Sequence, residues 1–203
     1  MITPEIMRAA PKQLSFPTHG GRRAGSGRPR GHRVPHAARP HFGRVTPVHV
    51  TLRMREHVWN LRSRRAFLRL QACFGKSRGR FGCRLVEFSV LGNHLHLIVE
   101  ADSSASLSRG LQGLCIRIAK ALNAMMGSAG KVFGDHYHSR LLRSPTELAR
   151  AIAYLLGNAA HHFGAKGADP YSSRSAAARA VLAEARSWLL TVGWRLAKFR
   201  SIP

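Results

Sequence analysis

Acidic residues are scarce in this chain. Its 203 residues include 9 Asp and Glu against 33 Lys and Arg, a formal charge of +24. That imbalance does not choose a fold, but it argues for a polyanionic partner, nucleic acid first. Cysteine is also sparse: Cys73, Cys83 and Cys115 are scattered and form no C-x-x-C pair. A disulfide framework and a cysteine-rich zinc site are thereby disfavoured, and a reducing cytoplasm fits. No apolar run reaches the roughly 18 residues that a membrane span needs. The N-terminus lacks a signal-peptide stretch, and neither a basic amphipathic helix nor a lipidation motif stands out, so no membrane partner is expected. Tyrosine is rare as well, with only Tyr137, Tyr154 and Tyr171. What remains is enough apolar content for the core of one ordinary domain with tails.

The composition divides the chain into three parts. Residues 1–46 are rich in Gly, Pro and Arg, as in GGRRAGSGRPRGHRVPHAARP. They cannot bury enough surface to offset the entropy of ordering, and read as a mobile basic arm, solvated or touching phosphates. A domain is expected over 47–163, and a loop with a helical extension of unassigned role over 164–203.

Within the domain, HVTLRM (49–54) alternates as a first strand. Residues 57–74, with Val58, Leu61, Leu68 and Ala72 near helical spacing, predict a helix. RLVEFSVL (84–91) and HLHLIVE (94–100) flank Gly92-Asn93, a hairpin signal. A two-residue loop pairs Leu91 with His94, Ser89 with His96 and Glu87 with Ile98. Alternation then places Val86, Phe88, Val90, Leu95, Leu97 and Val99 on one apolar face, the core side. Glu87, Ser89, His94 and His96 share the opposite face. A long amphipathic helix is expected over about 104–126, with Leu107, Leu111, Leu114, Ile118, Leu122 and Met125 as its stripe. HYHSRLL (136–142) reads as a further strand. Ser144, Pro145 and Glu147 then open a helix that runs to about His162, as cap, first helical residue and capping-box partner. The order suits an α+β sandwich of ferredoxin-like kind: an antiparallel sheet with helices on one face and a tyrosine-bearing helix near the other.

The histidine pair admits two readings. Histidines at i and i+2 point the same way about 7 Å apart, close enough to hold one divalent ion. They could equally be half-buried side chains with ordinary hydrogen bonds. The last helix of the domain buries Leu148, Ile152, Leu155 and Ala159, while Tyr154 and Asn158 stand one turn apart on a neighbouring face. A tyrosine hydroxyl can attack a phosphodiester, a divalent ion can stabilise the charge that develops, and Asn158 could complete the ion's shell. Arg109, Arg117, Lys120, Arg140, Arg143 and Arg150 are the candidate contacts to phosphate.

GNHLHLIVE resembles the HUH motif (His, hydrophobe, His) of the small single-tyrosine transposases, including relatives associated with repetitive extragenic palindromes. AYLLGNAAHH resembles the family's Tyr-Ile-x-x-Asn string, with Tyr154 and Asn158 at the matching positions. The resemblance covers about residues 47–163. It implies a DNA strand-transfer enzyme: Tyr154 would cut single-stranded DNA at a hairpin-marked site, keep the 5′-phosphate and release a 3′-hydroxyl. His94, His96 and Asn158 would hold Mg²⁺ or Mn²⁺. Single-stranded or hairpin DNA is then the partner, the protein a monomer or homodimer, and the setting a bacterial cytoplasm at the nucleoid. Gly157 departs from the family, at a cost of about 1 kcal/mol relative to Ala in a helix interior. Two other classes stay open: a DNA-binding module that keeps the fold without cleavage, and an RNA-binding protein. The polar face of the hairpin lacks the stacking aromatics that RNA modules display.

Overall fold

Alternating sequence builds the sheet, and the sheet positions everything else. The computed structural model describes residues 40–164 and 167–197, apart from the side chains of Ala159 and Ala177. Strands β1 (Thr46–Arg53), β2 (Cys83–Val90), β3 (His94–Ala101) and β4 (His138–Leu141) form one antiparallel sheet in the order β2-β3-β1-β4. Helix α1 (Arg64–Ser77) joins β1 to β2, and α2 (Ser104–Met126) joins β3 to β4. This connectivity and strand order are those of the ferredoxin-like α+β sandwich.

The hairpin pairs in the expected register, Ser89 with His96 and Glu87 with Ile98. A bulge between Leu85 and Glu87 breaks the strict alternation. Leu85, Phe88 and Val90 therefore join the main core, whereas Val86, expected beside them, turns to the other face and packs near Ile98. One extra residue in one strand is enough to reverse a side chain.

The main core lies between the sheet and the two crossover helices. From β1 and β3 it takes Val48, Val50, Leu52, Leu95, Leu97 and Val99, and from α2 the full expected stripe, Leu107 through Met125. Gly110 lets α2 approach β2, because a Cβ there would collide with the Cys83 side chain. α1 departs from expectation. It begins at Arg64, where the Ser63 hydroxyl accepts from Ala66 N at 3.3 Å and caps it. Val58 and Leu61 are buried in an irregular turn before the helix, tied by Leu61 N to Gly92 O at 2.9 Å. The cap sets the helical phase, so Phe67, Leu70 and Phe74 are buried and Leu68 is 55% exposed.

Helix α3 (Pro145–Phe163) crosses the opposite face, where Leu148 and Leu155 pack in a second cluster with Ile98 and Leu142. Ser144 caps it as expected, accepting from Glu147 N at 3.2 Å. The Glu147 carboxylate accepts from Arg143 N at 2.8 Å, one residue ahead of the capping-box position.

Of the segment expected to be a basic arm, residues 1–39 lie outside the described residues. Phe42 is buried, and its carbonyl accepts from Ser104 N at 3.0 Å. The C-terminal stretch holds two short helices, α4 (Ala176–Arg179) and α5 (Trp188–Thr191), and acts largely as a strap along the edge strand β2. Val90 N donates to Tyr171 O at 3.0 Å, Ser173 N to Phe88 O at 2.9 Å, and Ala183 N to Leu85 O at 2.9 Å. An edge that would otherwise offer unpaired backbone groups is thus covered. Arg62 clamps the strap through both oxygens of Asp169 at 2.9 Å, with its guanidinium 4.4 Å from the Phe163 and Tyr171 ring centres. Among the described residues, no helix is long and apolar enough to cross a membrane.

Candidate active site

The face of β3 that carries His94, His96, Ile98 and Glu100 is treated differently at each position. Glu100 is fully buried, held by Arg84 Nε at 2.7 Å and by the backbone N–H groups of Arg186 and Ser187. Burial alone would raise its pKa; the hydrogen bonds from Ser187, Arg84 and Arg186 hold it below the ordinary carboxylate value. Ile98 is covered by α3. His96 and His94 lie beyond that contact, and there α3 delivers Tyr154. The Tyr154 ring stands edge-on to His96, with centroids 5.6 Å apart, and is 52% exposed. Docking through Leu155 fixes this placement, since the neighbouring residue in the helix then faces the sheet obliquely.

A third imidazole completes the cluster. His49 lies on the central strand β1, stacked on His96 at 5.6 Å and 6.2 Å from the Tyr154 ring. His94 stacks on the other side of His96 at 6.4 Å. His49 is not among the site residues expected from the sequence. The signal was present: Val48, Val50 and Leu52 face the core, so alternation puts His49 and Thr51 on the outer face.

The hydrogen bonds of the paired histidines suit ligation. His96 Nδ1 lies 3.3 Å from Thr51 Oγ1 and 3.4 Å from His49 Nε2, and His94 Nδ1 lies 2.6 Å from Asn93 Oδ1. With protons on both Nδ1 atoms, each ring keeps its Nε2 lone pair for a cation, the usual supporting arrangement around a ligand imidazole. Burial, then the neighbouring His49, His94 and His162, pull the His96 pKa down to about 4, so the ring is neutral near pH 7. Burial also lowers His49, with His138 and Arg140 adding to the effect, and lowers His94, with Arg53 and His162 adding. Neutral imidazoles are the ligating form.

The described residues contain no group of three or more His, Cys, Asp or Glu able to hold a metal ion. A third donor must therefore be of another type. Asn158, one turn beyond Tyr154, is 1% exposed, and neither atom of its amide has a hydrogen-bond partner among the described residues. A buried, unsatisfied amide is costly unless something accepts or supplies its bonds, and a divalent ion bound by the Asn158 oxygen with His94 and His96 would satisfy the acceptor half of that need. Gly157 faces open space, so no contact requires a glycine there.

Beside the tyrosine, a pocket of about 350 Å³ is lined by His49, Arg140, Arg150, Glu147 and Tyr154. Arg140 and Arg150 thus come to the site as expected, while Arg143 faces a neighbouring groove. Arg109, Arg117 and Lys120 do not reach it, because α2 packs on the other side of the sheet. Tyr137 packs against the main core.

This sheet, tyrosine helix and histidine face have a counterpart among solved structures. A REP-associated tyrosine transposase bound to a REP hairpin superposes with a TM-score of 0.57 at 15% identity, covering 69% of this chain and 82% of that one. The two chains share a fold. A putative transposase from Deinococcus radiodurans superposes less closely, with a TM-score of 0.41 at 12% identity over 57% of this chain and 90% of that one. No family model and no curated protein matches the chain.

Proposed function

We propose that the chain is a DNA strand-transfer enzyme of transposase type, cutting and rejoining single-stranded DNA through Tyr154. The observation that carries this reading is the contact of the Tyr154 ring with His96 and His49, with His94 stacked on His96, on a face edged by Arg140 and Arg150. A structural partner is a transposase solved on hairpin DNA, and a charge of +24 suits the same substrate class.

In this reading Arg140 and Arg150 hold phosphates of the strand beside Tyr154. The phenolic oxygen attacks phosphorus as the bond to the 3′-oxygen breaks. The 5′-phosphate stays on Tyr154, and the phenolic proton passes through solvent to the departing 3′-oxygen, leaving a 3′-hydroxyl. Rejoining reverses these steps with a new 3′-hydroxyl, so no external energy source is required. His94, His96 and Asn158 would hold Mg²⁺ or Mn²⁺, which supplies charge stabilisation at the phosphate when bound. His49 and Thr51 keep the His96 ring in place and in its ligating tautomer.

The test is incubation with single-stranded hairpin DNAs and Mn²⁺, followed by a denaturing gel. A covalent adduct is expected from the native chain and from Tyr137→Phe, and none from Tyr154→Phe, which should still bind DNA. Tight DNA binding without an adduct would overturn the cleavage step and leave a DNA-binding protein of this fold. An adduct that persists in Tyr154→Phe would assign the nucleophile elsewhere.

A further inference from the structure

A second cavity adjoins the tyrosine pocket. It is an open groove of about 850 Å³ between the segment before β1, the end of β4 with the start of α3, and α5. Leu142 lines both cavities, so they lie one side chain apart. The volume falls in the range of small-ligand sites. Its rim carries His41, Arg44 and Arg143, all exposed, and no acidic residue among the described ones lines it. Two acids bonded to groove-lining segments are occupied: Glu147 is bonded by Arg140 and by Arg143 N, and Glu100 by Arg84 and the strap. The guanidinium groups of Arg44 and Arg143 form no ion pair with any described residue.

Trp188 supplies the aromatic side of the groove. It is 56% exposed, although one face of its ring is held. Gly193 allows that seat, since a Cβ at this position would come 2.7 Å from the ring. A large ring pinned on one side and open on the other pays little ordering cost when something stacks on it. An exposed aromatic flanked by unpaired arginines in an acid-free groove is the pattern by which proteins grip single-stranded nucleic acid: a base on the ring, phosphates on the cations.

From this geometry we infer that the groove is a nucleotide subsite for the strand that Tyr154 acts on, one base stacking on Trp188 while Arg44 and Arg143 hold flanking phosphates. The inference rests on the single-stranded DNA reading above and adds a second grip to it. Trp188 belongs to the C-terminal strap, so the strap contributes to substrate binding as well as covering the sheet edge.

The experiment uses the full chain with Trp59→Phe and Trp194→Phe, leaving Trp188 as the reporter. It is titrated with a short oligothymidine at low and high salt, and adduct formation on hairpin DNA is measured on the same protein. Trp188 fluorescence should be quenched on binding. Trp188→Leu should weaken binding about 5- to 100-fold. Arg44→Gln with Arg143→Gln, two exposed positions that leave the packing alone, should reduce the slope of log affinity against log salt by about one to two. Binding without quenching, or unchanged affinity and salt slope in the arginine variant, would overturn the subsite. So would quenching by oligouridine alone, which would assign the groove to RNA. An adduct with unquenched Trp188 sinks the subsite and leaves the cleavage reading standing. Quenching without any adduct does the reverse.

Discussion

The two faces of β3 contrast within eight residues. Leu95, Leu97 and Val99 enter a dry core between sheet and crossover helices, where each contact is interchangeable in kind and only shape matters. His94, His96 and Glu100 face the other way, and each has specific partners: Asn93, then Thr51 and His49, then Arg84 and the strap. The first face supplies stability and makes few demands on chemistry. The second tolerates buried polar groups because its neighbours satisfy them, and in the proposed reading its Nε2 atoms and the Asn158 amide oxygen receive an ion. Stability and activity should therefore separate between Leu95, Leu97 and Val99 on one face and His94 and His96 on the other.

The largest expected effect is on the polar face. His94→Ala with His96→Ala should lower Mn²⁺-dependent cleavage by about a thousandfold or more, as loss of two ligands removes the ion. The denaturation midpoint should shift little, since neither residue belongs to the core. A double variant that cleaves normally would break the contrast. On the dry face, Leu97→Ala should cost about 2–5 kcal/mol in stability through the cavity it leaves, measured by urea unfolding, while cleavage per folded molecule holds. Equal losses of stability from both faces would show that these two sets do not divide the roles.

His49 sharpens the comparison, because in the proposed reading it supports a ligand while being no core residue. His49→Ala should weaken Mn²⁺ binding about 10- to 100-fold by freeing His96 Nδ1, read directly by titrating the ion in an electron-paramagnetic-resonance experiment. Unchanged Mn²⁺ affinity would remove His49 from the site.

The smallest effect concerns pH in the metal-free protein. Folded His96 takes up its proton only near pH 4, whereas the unfolded side chain does so at about 6.5. The unfolded state therefore binds more protons between those values, and stability falls as pH drops through that window, by ~1–3 kcal/mol when titration is complete. Above 6.5 both states are neutral and the term vanishes. His96→Gln should flatten the loss measured between pH 7 and pH 4.5. An unchanged loss would place the acid sensitivity on other groups.

Local patterns were legible where one interaction dominates. Alternation in residues 94–100, with the Gly92-Asn93 turn, determined the hairpin register and so the shared face of His94 and His96. The stripe from Leu107 to Met125 determined α2, and Ser144-Pro145 determined where α3 starts. Tyr154 and Asn158 followed from helical spacing, although their different fates, one half exposed and one buried, did not.

What escaped a reading of the sequence depended on contacts between distant segments. Residues 57–62 carry apolar side chains at helical spacing, yet Leu61 is held by Gly92 across the hairpin, so the spacing there reflects burial and not helix. Val86 obeys alternation until a bulge, set by pairing with β3, reverses it. Arg109, Arg117 and Lys120 are as basic as Arg140 and Arg150, and only the side of the sheet on which each helix packs separates them. By itself, then, the sequence determined which residues share a face of each element, because that depends on periodicity along a single segment. The tertiary structure alone decided that His49 on β1 meets His96 on β3, that Tyr154 is carried to both, and that the strap brings Trp188 beside Arg143, because partners far apart in the chain are chosen by packing and pairing, which no local pattern encodes.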